Sequence, residues 1–335
     1  MHGVPGSEKI KVRIHSNVRH YAVDAPECHS YGAARNWISS RIVQCCDSEP
    51  AMAIDVNSLT QHFAAEVSGV NLAASVDDED FATIKEAFNE HSILVFHDQE
   101  LTDEQQILFS ERFGALEVTI NANPGGAGTV VTILSNVDGN GSVISPKDRR
   151  MVFNTGNQMW HTDSSYKRVP AMASLLSGRD VPPVGGETEF ASMRAAYAAL
   201  PDKRQAELEL LVCVHDFAYS RGLIDPNLLR EGDKRELPPV RQAMIRINPT
   251  NGRKNIFLGA HASYVEGMPL IEGRSLIQEL NTHVTKSEFV YRHSWRKNDL
   301  VMWDNRCTLH RGRAWNPGYP RVMHRTTVEG EGETA

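Results

Sequence analysis

The stretch Asp299–Gly330, DLVMWDNRCTLHRGRAWNPGYPRVMHRTTVEG, holds two short β-rich runs, Asp299–Trp303 and Val322–Val328, joined through polar and Gly/Pro-rich chain. Runs of this length with Asn, Gly and Pro between them are short β-strands joined by turns. The pattern repeats upstream at Val130–Leu134, Ala173–Leu176, Met244–Ile247, Asn255–Leu258 and Phe289–His293. Many short strands with turn signals between them argue for a sandwich or barrel. Two helical inserts interrupt the strands. One runs from Ser192 to about Val212 with a break at Leu200-Pro201, and the other from Glu272 to about Val284.

Before the β-rich part, Phe81, Ile84 and Phe88 form one helical stripe within Asp78–Glu90, leading into a strand at Ile93–Phe96. Thr102 and Gln105 have capping-box spacing and open a second helix, which runs through Phe113 and is ended by Gly114. A mainly β protein with flanking helices is expected. Residues 52–330 read as a single domain and 331–335 as a tail. Residues 1–51 read as an N-terminal extension, poorly ordered or a mis-started leader.

Composition narrows the function. The 335 residues are 41% hydrophobic, enough to fill a core, and 35 Lys and Arg against 42 Asp and Glu give a formal charge of −7. No basic stripe offers a footprint for nucleic acid. The apolar runs fall far short of the roughly 20 residues that a membrane helix needs. Five Cys, two of them the adjacent Cys45 and Cys46, suit neither a disulfide framework nor a zinc-finger spacing. A cytoplasmic protein is expected, with no nucleic-acid or membrane partner.

Within the opening stretch His310 follows the polar turn, and Arg321 and Arg325 lie 11 and 15 residues beyond it. Their spacing of four puts both on one face of a strand, and arginine suits a carboxylate because it offers two parallel hydrogen bonds. Near the midpoint, Trp160-His161-Thr162-Asp163 places an imidazole and a carboxylate two residues apart, on one face if the segment is extended. A 2-His-1-carboxylate site needs such a pair and a distant second His, for which His310 is the candidate. On the dipeptide alone a solvated strand end is an equal reading. The long polar residues 135–158 deliver the chain to this motif, and loops so placed are often functional.

Taken together, WHTD (160–163), GGETEF (185–190), WDNRCTLHRGR (303–313) and YPRVMHRTT (319–327) resemble the iron(II)/2-oxoglutarate dioxygenases of the taurine dioxygenase family, over about residues 52–330. Residues 257–280 and 288–313 are most similar to members that cleave aryloxyacetates. The resemblance implies a double-stranded β-helix, or jelly roll, with iron held by His161, Asp163 and His310. It implies that Thr188 and Arg321 hold the distal carboxylate of 2-oxoglutarate and that Arg325 faces an anionic group of the substrate. Asn136 and Trp160 match positions near the active site. His261, in GAHAS, reads either as facing the substrate or, as an apolar-flanked His, as a hydrogen-bonded core residue. His215, His293 and His324 read as structural, Cys307 as a small apolar filler, and Arg311 and Arg313 as surface charge by default, with pairing to acidic residues on the rim or assistance to anion entry as the alternatives.

The implied reaction consumes O2, decarboxylates 2-oxoglutarate to succinate and CO2, and hydroxylates a small organic anion, most directly an aryloxyacetate such as 2,4-dichlorophenoxyacetate, giving a phenol and glyoxylate. Asp163 favours hydroxylation, since halogenating relatives lack this carboxylate. Phenoxyacetate-cleaving members carry basic residues in the stretch that aligns with Glu117–Pro124, and this sequence has none there, so the resemblance keeps an alkylsulfonate or another carboxylate as the alternative substrate. The resemblance also implies a homo-oligomer, since members are often dimers or tetramers. A non-catalytic, metal-binding jelly roll is the reading from another class. A carboxylate clamp of Arg321 and Thr188 distinguishes the two, because such a protein has no need of one.

Overall fold

A computed structural model describes residues 53–335, so the expectation for residues 1–51 lies outside the described residues. The major sheet has seven strands in the order Asp55–Ser58, Ala65–Ser68, Ile93–Phe96, Leu300–Asp304, Ala173–Asp180, Val322–Val328, Thr132–Ser135. A three-stranded sheet, Val290–His293, Thr188–Ser192, Thr308–Gly312, packs against it. A further three-stranded sheet (Ala262–Val265, Val212–His215, Val240–Ala243) and the pair Ile245–Ile247 with Lys254–Ile256 complete the β-structure. The result is the expected double-stranded β-helix with flanking helices.

Alternation within single strands builds three layers. In Leu300–Asp304, Leu300 and Met302 join Phe88, Phe96 and Phe109 in the core beneath the helices Asp78–His91 and Asp103–Glu111. Val301 and Trp303 point the other way and meet Phe190 and Met323 between the sheets, with the Phe190 and Trp303 rings 5.5 Å apart. A strand buried on both faces has no polar side, which is why it reads as an unbroken apolar run. In the facing sheet, Leu309 and Ala191 turn outward to a third core under the helix Leu270–Val284, so their neighbours His310 and Phe190 turn inward.

The first helix is capped by Asp77, whose carboxylate accepts from the Asp80 amide at 2.8 Å. Thr102 and Gln105 form the expected capping box. The insert expected from Ser192 to about Val212 is instead three pieces. Ser192 ends a strand and caps the helix Met193–Ala198, a second helix follows at Asp202–Leu208 after the Leu200-Pro201 break, and Val212 opens a strand. Residues 135–158 are less irregular than their composition suggests, because Asp148 caps a helix at Arg149–Asn154 that runs into a 3-10 turn, Thr155–Gln158. Beyond Gly330 there is no regular element, but the Ala243 amide donates to the Thr334 hydroxyl at 3.1 Å.

The connection from Leu300–Asp304 to Thr308–Gly312 joins the two sheets and is fixed by a buried ion pair. Both carboxylate oxygens of Asp304 accept from Arg306, at 2.9 Å from Nε and 3.0 Å from Nη2. Removing one partner of such a pair leaves an uncompensated buried charge, which costs about 3–5 kcal/mol. Asp304→Ala is therefore expected to lower unfolding stability by about that amount, measured by urea denaturation.

Candidate active site

His161 and His310 form a one-residue antiparallel bridge in which each donates its amide to the other's carbonyl, at 3.0 and 2.8 Å. Such pairing sets the two side chains on the same face, and their rings lie 4.2 Å apart. The extended geometry on which the two-residue spacing of His161 and Asp163 would share a face stops at this bridge, for the chain enters a turn with Ser164 at φ 55°. Asp163 is brought to the cluster by Asn305 instead. The Asn305 Oδ1 accepts from the Asp163 amide at 3.1 Å, and its carbonyl accepts from the Thr162 hydroxyl at 2.7 Å, which turns Thr162 away from the cluster. Asp163 Oδ1 then lies 3.9 Å from His161 Nε2, and Oδ2 lies 3.7 Å from His310 Nε2.

These three buried groups offer ligand atoms all within 4.8 Å of one another. The surroundings favour the ligating forms. His161 Nδ1 sits 2.7 Å from the Met159 carbonyl and donates to it, which leaves the Nε2 lone pair facing the cluster. Burial lowers the pKa of His161 and holds that of His310 well below its ordinary value, so both imidazoles are neutral at pH 7. Burial opposes ionisation of Asp163, but the Arg325 guanidinium beside it, helped by the Ser174 hydrogen bond, outweighs burial and holds its carboxyl below the usual range. Ser174 Oγ donates to Asp163 Oδ2 at 2.7 Å and Arg325 Nη1 to Oδ1 at 2.6 Å. Two neutral imidazoles and one carboxylate fit a divalent cation that prefers nitrogen and oxygen donors.

The cluster opens into a cavity of about 250 Å3 lined by His161, His310, Thr188, Trp303, Arg321 and Arg325 among others. Arg321 is 8% exposed, with Nε buried and without a partner among the described residues, and its Nη2 reaches only the Gly186 carbonyl at 3.3 Å. Burial lowers its pKa to about 10, which leaves it charged at neutral pH. Gly186 has φ 73°, and a Cβ there would stand 3.2 Å from the Arg321 Nε. The hydroxyl of buried Thr188 accepts from Trp295 Nε1 at 3.0 Å, leaving its own proton to donate into the cavity. A buried guanidinium without a counter-charge beside a free hydroxyl donor fits a carboxylate guest.

The remaining expectations separate. Asn136 lies behind the cavity wall, where its Oδ1 accepts from the Arg321 amide at 2.7 Å and its Nδ2 donates to the Pro317 and Tyr319 carbonyls. It positions Arg321 and does not line the cavity. Trp160 packs against the core beneath the third layer, with the Arg311 guanidinium 4.6 Å above its ring, and does not line the cavity either. Of the readings open for Arg311, the structure shows pairing with an acidic residue, since its Nε donates to the buried carboxylate of Glu189 at 2.7 Å. His261 lines a smaller recess that shares His161 with the main cavity. His215 meets Ser165, His293 meets Asp299 and His324 meets Asp103, all structural contacts, and Cys307 is buried. Ser174, Trp295 and Asn305 went unnoticed in the sequence, although Asn305 lies inside the turn that delivers His310.

This fold and this donor set define a metal- and keto-acid-dependent oxygenase. Residues 55–327 match the family described as taurine catabolism dioxygenase TauD, TfdA family. The chain is 43% identical over 281 residues to the alpha-ketoglutarate-dependent 2,4-dichlorophenoxyacetate dioxygenase of Cupriavidus pinatubonensis, covering 83% of this chain and 98% of that protein. It is 36% identical over 287 residues to the (S)-phenoxypropionate/alpha-ketoglutarate-dioxygenase of Sphingobium herbicidovorans, covering 83% and 96%. The crystal structure of AAD-2 in complex with Mn(II) and N-oxalylglycine matches with a TM-score of 0.79 and 42% identity, over 85% of this chain and 99% of that one. The chain belongs to the TauD/TfdA family and is an alpha-ketoglutarate-dependent dioxygenase, using iron(II), 2-oxoglutarate and O2.

Asn305 also accepts from Trp303 Nε1 at 2.9 Å and donates to Ser174 Oγ at 2.8 Å. It thus orients both the Asp163 backbone and the hydroxyl that holds the Asp163 carboxylate. Losing such support for a ligand costs about 10–100-fold in metal affinity. Asn305→Ala is expected to weaken Mn(II) binding by about that factor, measured by calorimetry on the metal-free protein.

Proposed function

We propose that His161, Asp163 and His310 hold the iron, that Arg321 and Thr188 hold the distal carboxylate of 2-oxoglutarate, and that the substrate is an aryloxyacetate such as 2,4-dichlorophenoxyacetate. The observation that carries this reading is the meeting, in one cavity, of the buried His-Asp-His cluster with an arginine that has no counter-charge among the described residues. The names of the relatives point to the same substrate class. Arg325 lines the cavity and contacts Asp163, so it orients that carboxylate and faces the anionic group of the substrate.

When bound, iron(II) with 2-oxoglutarate supplies oxygen activation, and the protein supplies position and exclusion. Leu134, Met151, Pro146 and Trp315 give the cavity apolar walls suited to an aryl ring. Trp303 and Phe190 flank His310, with ring centroids 4.6 and 6.2 Å away, and keep water from that side of the cluster. Hydroxylation of the carbon next to the ether oxygen gives a hemiacetal, which collapses to a phenol and glyoxylate. One O2 and one 2-oxoglutarate are consumed for each succinate, CO2 and hydroxyl formed.

Residues 52–330 act in this reading as one dioxygenase domain. The expected cytoplasmic location is supported by free, buried Cys213 and Cys307. Among the described residues no helix is long and apolar enough to cross a membrane. A homo-oligomeric form remains part of this proposal.

Succinate release from 2-oxoglutarate should accelerate on adding phenoxyacetates, and His161→Ala should abolish the stimulated rate. Arg321→Ala removes a charge-assisted pair and should raise the KM for 2-oxoglutarate by about 30-fold or more, with the fold intact by circular dichroism. A KM unchanged in that variant counts against the clamp.

A further inference from the structure

Beside the main cavity lies a recess of about 30 Å3, lined by His161, Asp163, Tyr166, Arg221, His261 and Arg325 among others. A cavity needs about 10–15 Å3 of this kind of space to hold one water, so the recess takes about two water-sized groups and no aromatic ring. It shares Leu134, Asn154, Asn157, His161 and Arg325 with the main cavity, so one ligand can reach into both.

Charge is unevenly matched around this recess. Arg325 is committed to Asp163 at 2.6 Å, and Glu117, on the far side of Ser164 and Tyr166, is matched by Lys167 at 2.8 Å. His261 is held neutral by burial. Arg221 is different. Its side chain stands on the short helix Phe217–Gly222, is 7% exposed, and has no hydrogen bond or ion pair among the described residues, with Nε wholly buried. The guanidinium lies between the rings of Phe153 and Phe217, 4.9 and 4.6 Å from their centroids, which fixes its plane without neutralising it. Room for it comes from Gly156, where a Cβ would strike Nη1 and Cζ. Burial lowers its pKa to about 10, so it keeps its proton at neutral pH. A buried cation without a partner is costly, and such a cost is sustained where a ligand supplies the missing charge.

We propose that Arg221 is a substrate-specificity residue that receives the carboxylate of the organic substrate in this recess, while the aryl group stays in the main cavity. The proposal rests on the reading of the substrate as a small organic anion. The size of the recess selects a two-oxygen acid group on a short stem. The guanidinium edge matches a carboxylate with two parallel hydrogen bonds. Arg325 sits on the neighbouring wall, so the carboxylate lies between two cations. That placement fixes the substrate by its acid end and orients the adjacent carbon relative to the His-Asp-His cluster.

The test is anaerobic calorimetry on the full chain loaded with iron(II) and 2-oxoglutarate, comparing wild type with Arg221→Gln and Arg221→Lys. The probes are phenoxyacetate, hexyl sulfate, taurine and the neutral phenoxyacetamide. For any anion that the wild type binds, Arg221→Gln should raise Kd by about 30-fold or more and Arg221→Lys should recover part of the loss. Phenoxyacetamide and 2-oxoglutarate should bind within about threefold of wild type. Tm of the Gln variant should equal or exceed that of wild type, because an unpaired buried charge has been removed. An anion Kd that stays within about threefold in Arg221→Gln overturns the proposal and leaves the proposed function standing. A fallen Tm with parallel loss of 2-oxoglutarate binding makes Arg221 a structural residue and overturns it too. Wild type that binds hexyl sulfate or taurine but not phenoxyacetate overturns the aryloxyacetate reading alone, since Arg221 is then judged on that anion. Wild type that binds none of the three anions overturns both.

Discussion

Two amide hydrogen bonds exchanged between His161 and His310 are the constraint on which the site depends. A bridge of one residue pair has little ladder to hold it, so its geometry is borrowed from both sides. On one side His310 is locked into Thr308–Gly312 by pairing with Thr188–Ser192. On the other, Asn305 takes the Asp163 amide, the Trp303 indole and Ser174 into a single polar knot. The donor set is therefore pre-formed by backbone and amide contacts buried in the sandwich, where buried polar groups must be satisfied and have few alternatives.

The charges around that knot follow a different logic. Asp304 and Arg306 neutralise one another and hold a turn. Arg321 is buried without a counter-ion among the described residues, in an environment that lowers its pKa. Paired charges of this kind serve folding, whereas unpaired ones are a strain on stability that a bound anion relieves. The distinction separates residues of similar burial by what they are for, and it needs no reference to conservation.

Much of this was legible from the chain. Short strand-forming runs such as Leu300–Asp304 and Val322–Val328, separated by turn signals, pointed to the sandwich, and Arg321 and Arg325, singled out by their spacing from His310, line one cavity. The two-residue spacing of His161 and Asp163 could not by itself place both on the cluster, because period-two reasoning assumes a ladder and only one bridge exists here. Thr188–Ser192 was hidden behind Gly185 and Gly186, whose positive φ values make the segment look like a loop before it becomes the central strand of its sheet. Trp160 reads as a site residue from its place in the motif, but its side chain turns to the core. Asn305, Ser174 and Trp295 act through contacts with residues more than 100 positions away, or with a partner that only the fold supplies, and local pattern carries no trace of such pairs.

The order of strands in the major sheet has a consequence for biogenesis. Leu300–Asp304 sits between Ile93–Phe96 and Ala173–Asp180, so a late-synthesised strand fills the middle of a sheet in which every other member except Val322–Val328 is made well before it. Until it emerges from the ribosome, those earlier strands expose unpaired edges and apolar faces. Sheets closed by distant contacts fold slowly and are exposed to aggregation while they wait. Loss of residues 300–335 would thus remove the keystone of the sheet together with His310.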